Sequence, residues 1–118
     1  DKYWKKFVIE DRGVRCVSDK PWVTIAETSE LTLTLAGLGN QELAGIVFNW
    51  ICDRRYEDGS NWCGFTCPDL VVWPEDKITW TNAVALLAAD AIYNLTPASA
   101  LFSHQFWVTS ELSPFVDA

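Results

Sequence analysis

The chain has 118 residues, 49% of them hydrophobic, which suits one domain with a real core. Its net charge of −7 argues against general nucleic-acid binding and against docking on anionic membranes. No apolar run reaches the roughly 20 residues of a membrane span. The longest candidate, Ala83 to Ala89, ends at Asp90. The chain starts at Asp1 and shows no signal peptide, so it reads as cytoplasmic and as processed, trimmed or part of something longer.

Tyr3, Trp4 and Phe7 fall at helical spacing and predict a helix end over 2–8. Ile9 to Lys20 is polar, contains Gly13 and reads as a loop. Pro21 suits the first turn of a helix, which would run from Trp22 to Ala36 and end at Gly37 or Gly39. Leu31-Thr32-Leu33-Thr34-Leu35 alternates as a strand would. Ala26, Glu27 and Glu30 beside it, and the need for an antiparallel partner, favour the helix. Asn40 is a good N-cap with Glu42 in the first turn behind it. Leu43, Ile46, Val47, Trp50 and Ile51 then form one apolar stripe, closing a helical hairpin over 22–53.

A long loop follows over 56–77, broken by Gly59, Gly64, Pro68 and Pro74. Trp62, Phe65 and Trp73 suggest that it folds as a cover over the helices, with Val71-Val72-Trp73 extended. A second hairpin is predicted over 80–107, its inner helix capped by Thr79 or Thr81. Thr96-Pro97 opens its short outer helix. A tail over 108–118 completes the chain. Six of the nine basic residues precede Trp22 and none follows Lys77, so the C-terminal third is poor in charge and suits self-association.

The stretch Ala44 to Trp62 carries a family resemblance. Phe48 and Trp50 precede a Glu57-Asp58-Gly59 turn, Trp62 follows it, and Arg55 stands where a glutamine is expected. This resembles the QW-type repeat of terpenoid cyclases and protein prenyltransferases. The resemblance implies an all-α fold of stacked helical hairpins, a partial α-α toroid. It also implies a cavity rim of Trp22, Thr24, Thr28, Trp62, Trp80, Thr81 and Asn82, and an apolar or isoprenoid ligand.

The acid-rich cyclase segment is not reproduced. Lys77 to Thr81 has no acid, and Thr24 to Thr28 has only Glu27, the single candidate catalytic residue. The prenyltransferase zinc set is not matched either, since the sole histidine, His104, lies on the predicted outer helix. A mixed site of Cys16, Cys63, Cys67 and His104 is conceivable, but buried reduced thiols are the simpler reading, so neither metal nor cofactor is expected. The leading reading is a non-catalytic module that binds an apolar ligand or self-associates. One alternative is an isoprenoid enzyme using Glu27 as acid. Another is a carbohydrate protein with tryptophans as sugar platforms. Hydrolysis ranks last, because Glu57-Asp58 and Glu75-Asp76 are adjacent pairs and not opposed carboxylates.

Overall fold

A computed structural model describes residues 1–109. The predicted tail lies outside the described residues from Ser110 onward. The element order is α1 (Lys2–Phe7), β1 (Val8–Ile9), β2 (Gly13–Arg15), β3 (Trp22–Thr24), α2 (Ile25–Gly37), α3 (Gln41–Asn49), β4 (Gly64–Thr66) and α4 (Thr79–Tyr93). A 3-10 turn (Pro97–Ala100) and α5 (His104–Thr109) follow.

The four strands form one antiparallel sheet in the order β1-β2-β3-β4. The all-α toroid is therefore overturned: the fold mixes helices with a sheet. Two segments account for the difference. The polar stretch after Ile9 folds back as the short β1–β2 ladder, where Val8 pairs with Val14 and Ile9 with Gly13. Trp22-Val23-Thr24, expected as the first helical turn, is instead β3, flanked by Val14 and Arg15 on one side and Gly64 to Thr66 on the other. Trp, Val and Thr all suit a pleated surface, and here two ladders satisfy their backbone. Pro21 therefore precedes a strand and does not begin a helix, and its carbonyl accepts from Cys67 N at 2.8 Å.

Helix α2 starts at Ile25, where the Thr24 side chain accepts from Glu27 N at 3.3 Å. The alternating Leu31 to Leu35 run lies inside this helix. Its threonines avoid orphan hydroxyls by bonding one turn back, Thr32 Oγ1 to Thr28 O at 3.0 Å and Thr34 Oγ1 to Glu30 O at 2.9 Å. Asn40 caps α3 through Leu43 N at 3.2 Å. Helix α4 has Ile78 as its cap and no side-chain cap bond, so neither Thr79 nor Thr81 plays that part. It ends at left-handed Asn94. There Asp90 accepts from both Thr96 N and Thr96 Oγ1 at 2.7 Å. The predicted outer helix is broken in two, a 3-10 turn and then α5.

Helix α2 packs against both α3 and α4. The core joins sheet to helices through Val23, Ile25, Phe48, Ile51, Phe65, Ala85 and Ala88. Small residues on α4 allow the close approach, and Phe65 is the largest fully buried side chain among the described residues. Burying such a side chain contributes roughly 1.5–3 kcal/mol. This packing fixes the point where β3 runs into α2 beside the start of β4.

Candidate functional site

Glu27 stands in the first turn of α2, held there by the Thr24 cap. The adjacent Ile25 N donates to Cys63 O at 3.1 Å, which docks the residue before β4 against the head of the helix. Cys16 N donates to Trp22 O at 3.3 Å and brings the end of β2 to the same place. Around Glu27 the fold thus gathers two thiols from distant parts of the chain. Its Oε2 is buried and has no hydrogen-bond partner among the described residues. An unpaired buried carboxylate oxygen is costly, and such a group calls for an explanation.

The electrostatics show what surrounds it. Burial pushes the Cys63 thiol up, and the charges of Asp76 and Glu27 push it further. Burial also raises the Cys16 thiol, followed by the charge of Glu27, a hydrogen bond to it, and Cys63. Both thiols are therefore protonated at neutral pH, which disfavours a nucleophilic or metal-binding role. Burial raises the Tyr56 phenol as well, with Glu75, Cys63 and Asp76 adding to the shift and Lys77 opposing it. Its Oη is buried without a partner among the described residues. The charges of Glu27 and Asp76 both reach Cys63, and those of Glu75 and Asp76 reach Tyr56.

Most of the predicted rim is occupied otherwise. Thr24 and Thr28 are buried. Thr28 Oγ1 accepts from Val14 N at 2.9 Å and donates to Thr24 O at 2.7 Å, fastening β2 to α2. Thr81 is buried in α4. Asn82 Oδ1 accepts from Asn61 N at 2.8 Å and Asn61 Nδ2 at 3.0 Å, pinning the loop to α4. Trp62 packs edge-on against Phe65 at 5.9 Å. Trp80 is half exposed. Trp22 donates through Nε1 to Trp73 O at 2.8 Å.

The turn residues are structural. Phe48 is buried against Tyr93, with ring centroids 6.3 Å apart, and Trp50 packs against the core. Arg54, and not Arg55, lies over Trp62, at 5.8 Å. Arg55 bridges Asn61 and lines a depression with Gly59 and Asn82. Gly59 has φ +87, a left-handed conformation that glycine adopts freely. Asp58 accepts from Ser60 N at 2.9 Å and pairs with Lys77 at 2.6 Å. Its carboxyl sits well below the usual range, chiefly through the Lys77 bond.

No group of three or more metal-ligating residues forms among the described residues. Cys16 and Cys63 are neighbours, but His104 lines another depression with Leu33, Phe102 and Trp107. No described helix is long and apolar enough to cross a membrane.

The sequence carries no signal for Tyr56 here, offers Cys63 only as a conceivable metal ligand, and offers Asp76 only beside its neighbour Glu75. The β3–β4 ladder, which brings its loop to Glu27, leaves no local signal.

The chain is similar to part of a mannosidase. It is 43% identical over 102 residues to the MMP endo-(1,4)-3-O-methyl-alpha-D-mannosidase of Mycolicibacterium hassiacum. The match covers 86% of this chain and 28% of the relative's length. No protein-family model matches the chain. The resemblance to terpenoid cyclases and prenyltransferases is overturned on both counts, by the sheet and by a relative that is a glycosidase. The leaning toward a non-catalytic module loses its basis with it, and the carbohydrate alternative fits better.

Proposed function

We propose that the chain is part of a glycoside hydrolase acting on an α-(1,4)-linked glycan that carries 3-O-methylmannose, with Glu27 and Asp76 as its carboxyl pair. The observation that carries this reading is the 43% identity to the mannosidase across most of the chain. The buried, unpartnered Glu27 Oε2 supports the assignment of Glu27, and the charge of Asp76, felt with that of Glu27 at Cys63, supports Asp76 as its partner. In such a reaction one carboxyl group protonates the leaving oxygen. The other, as carboxylate, assists attack at the anomeric carbon. Thr24 caps the helix turn that carries Glu27. The four cysteines are free thiols, which fits a reducing, cytoplasmic setting.

The test is release of reducing ends from a 3-O-methylated α-(1,4)-mannooligosaccharide by the protein as its gene encodes it. Glu27→Gln and Asp76→Asn should each lower turnover by about 100-fold or more while far-UV circular dichroism stays unchanged. Turnover that survives both substitutions would remove this pair from the reaction. A parent protein that cleaves no such glycan would overturn the reading as a whole.

A further inference from the structure

Trp22 and Trp73 form a second feature close to the carboxyl pair. Their indole rings meet edge to face, with centroids 5.2 Å apart and planes at 67°. The Trp22 Nε1 bond to Trp73 O locks the first ring. Gly64 lets that ring lie close, because a Cβ there would stand 2.6 Å from Trp22 Nε1 and 2.9 Å from Val23 O. Backbone bonds hold the rest of the frame. Trp73 N donates to Gly64 O at 2.9 Å, Cys67 N to Pro21 O at 2.8 Å, and Thr66 N to Val71 O at 2.9 Å. Trp73 is nonetheless 59% exposed. A rigidly framed, outward-facing tryptophan contributes little to the core and is ready for contact.

With Lys20, Pro21 and Thr66 the two rings enclose an open depression of about 340 Å³. Its surface is apolar throughout, so Lys20 and Thr66 present carbon and not nitrogen or oxygen. This volume lies at the low end of small-ligand sites, roughly 300–1,000 Å³. Only Pro74 and Glu75 separate Trp73 from Asp76, three Cα steps or at most about 11 Å of extended chain. On the other side, Cys63 directly precedes Gly64.

We propose that this depression is a sugar subsite that holds one O-methylated hexose of the glycan, its C–H face and methyl ether set against the indoles. The inference rests on the glycan reading above. The polarised C–H edge of a pyranose meets the negative face of an indole, and a methyl ether adds apolar area while removing a hydroxyl donor. An unmodified hexose would leave a hydroxyl donor unpaired on entering a wall without polar partners, whereas a methyl ether has no donor to leave unpaired and adds apolar area. The depression therefore selects for methylation, and its distance from Asp76 places the recognised sugar near the bond to be cut without being part of the chemistry.

The experiment compares two probes, a 3-O-methyl α-(1,4)-mannotetraose and its unmethylated counterpart. Calorimetric titration is done in a Glu27→Gln background so that neither is consumed. The methylated probe should bind more tightly, Trp73→Ala should weaken it about tenfold, and Trp73→Phe should keep most of the affinity. Equal affinity for both probes, or a Trp73→Ala variant that binds the methylated probe as well as its parent, would overturn the subsite. If the parent protein still hydrolyses the methylated glycan, only the subsite has failed. If the parent neither binds nor hydrolyses it, the glycan reading has failed as well.

Discussion

Replacing Thr28 with valine tests how the head of α2 is held. Thr28 is fully buried, and its hydroxyl does two things at once. It accepts from Val14 N at 2.9 Å and donates to Thr24 O at 2.7 Å. Valine keeps the shape and removes both bonds. Leaving a partly buried N–H without its acceptor costs about 1–3 kcal/mol, and the second bond contributes about 1 kcal/mol. The added methyl returns roughly 0.8 kcal/mol. The net expectation is a loss of about 1–3 kcal/mol, or a fall in Tm of about 4–15 °C at this chain length. Thr28→Ser keeps the hydroxyl and should lose far less. Thermal and urea unfolding of the three proteins decide the matter. A valine variant within about 0.5 kcal/mol of the parent would show that the hydroxyl does not fasten β2 to α2, and the account of how Glu27 is positioned would fall with it.

Two further outcomes follow from charge. Glu27 helps to raise the Cys16 thiol, so Glu27→Gln should lower the pH at which Cys16 is alkylated by iodoacetamide, read peptide by peptide in a mass spectrometer; an unchanged profile would place the carboxyl elsewhere. The Asp90 carboxyl is held below its ordinary value, first by the Thr96 hydroxyl. Its contribution to stability is therefore present above the unfolded pKa of about 3.9 and is lost as pH falls through the lower folded value. The stability gap between the parent and Asp90→Asn should be constant from pH 7 to 5 and close below about pH 4, and a gap that persists into stronger acid would contradict the assignment.

Local signals made the helices legible. Asn40 before Gln41-Glu42 marks the start of α3; of the predicted apolar stripe Val47 and Ile51 are buried, whereas Ile46 is exposed and Ala44 and Phe48 fill the buried face instead. The strands were not legible, because each is only two or three residues long and shows no alternation that could be counted. Pro21 added to the error, since a proline ahead of Trp-Val-Thr suits a first helical turn and a strand start equally well. Glu27 is legible as the one acid in the first turn of α2. Asp76 could not be matched to it, because the pairing that links their segments, Trp22 with Thr66, spans the whole α2–α3 hairpin.

That long-range pairing has a consequence for how the proposed site would come apart. Glu27 follows the third strand and Cys63 precedes the fourth, so the two sides of that site are sewn together along one short ladder. Val23 and Phe65 of the seam are also core residues beneath the helices, which are too short to stay coiled without that packing. Denaturant that opens the seam should therefore abolish turnover by the proposed site and the helical circular dichroism signal together.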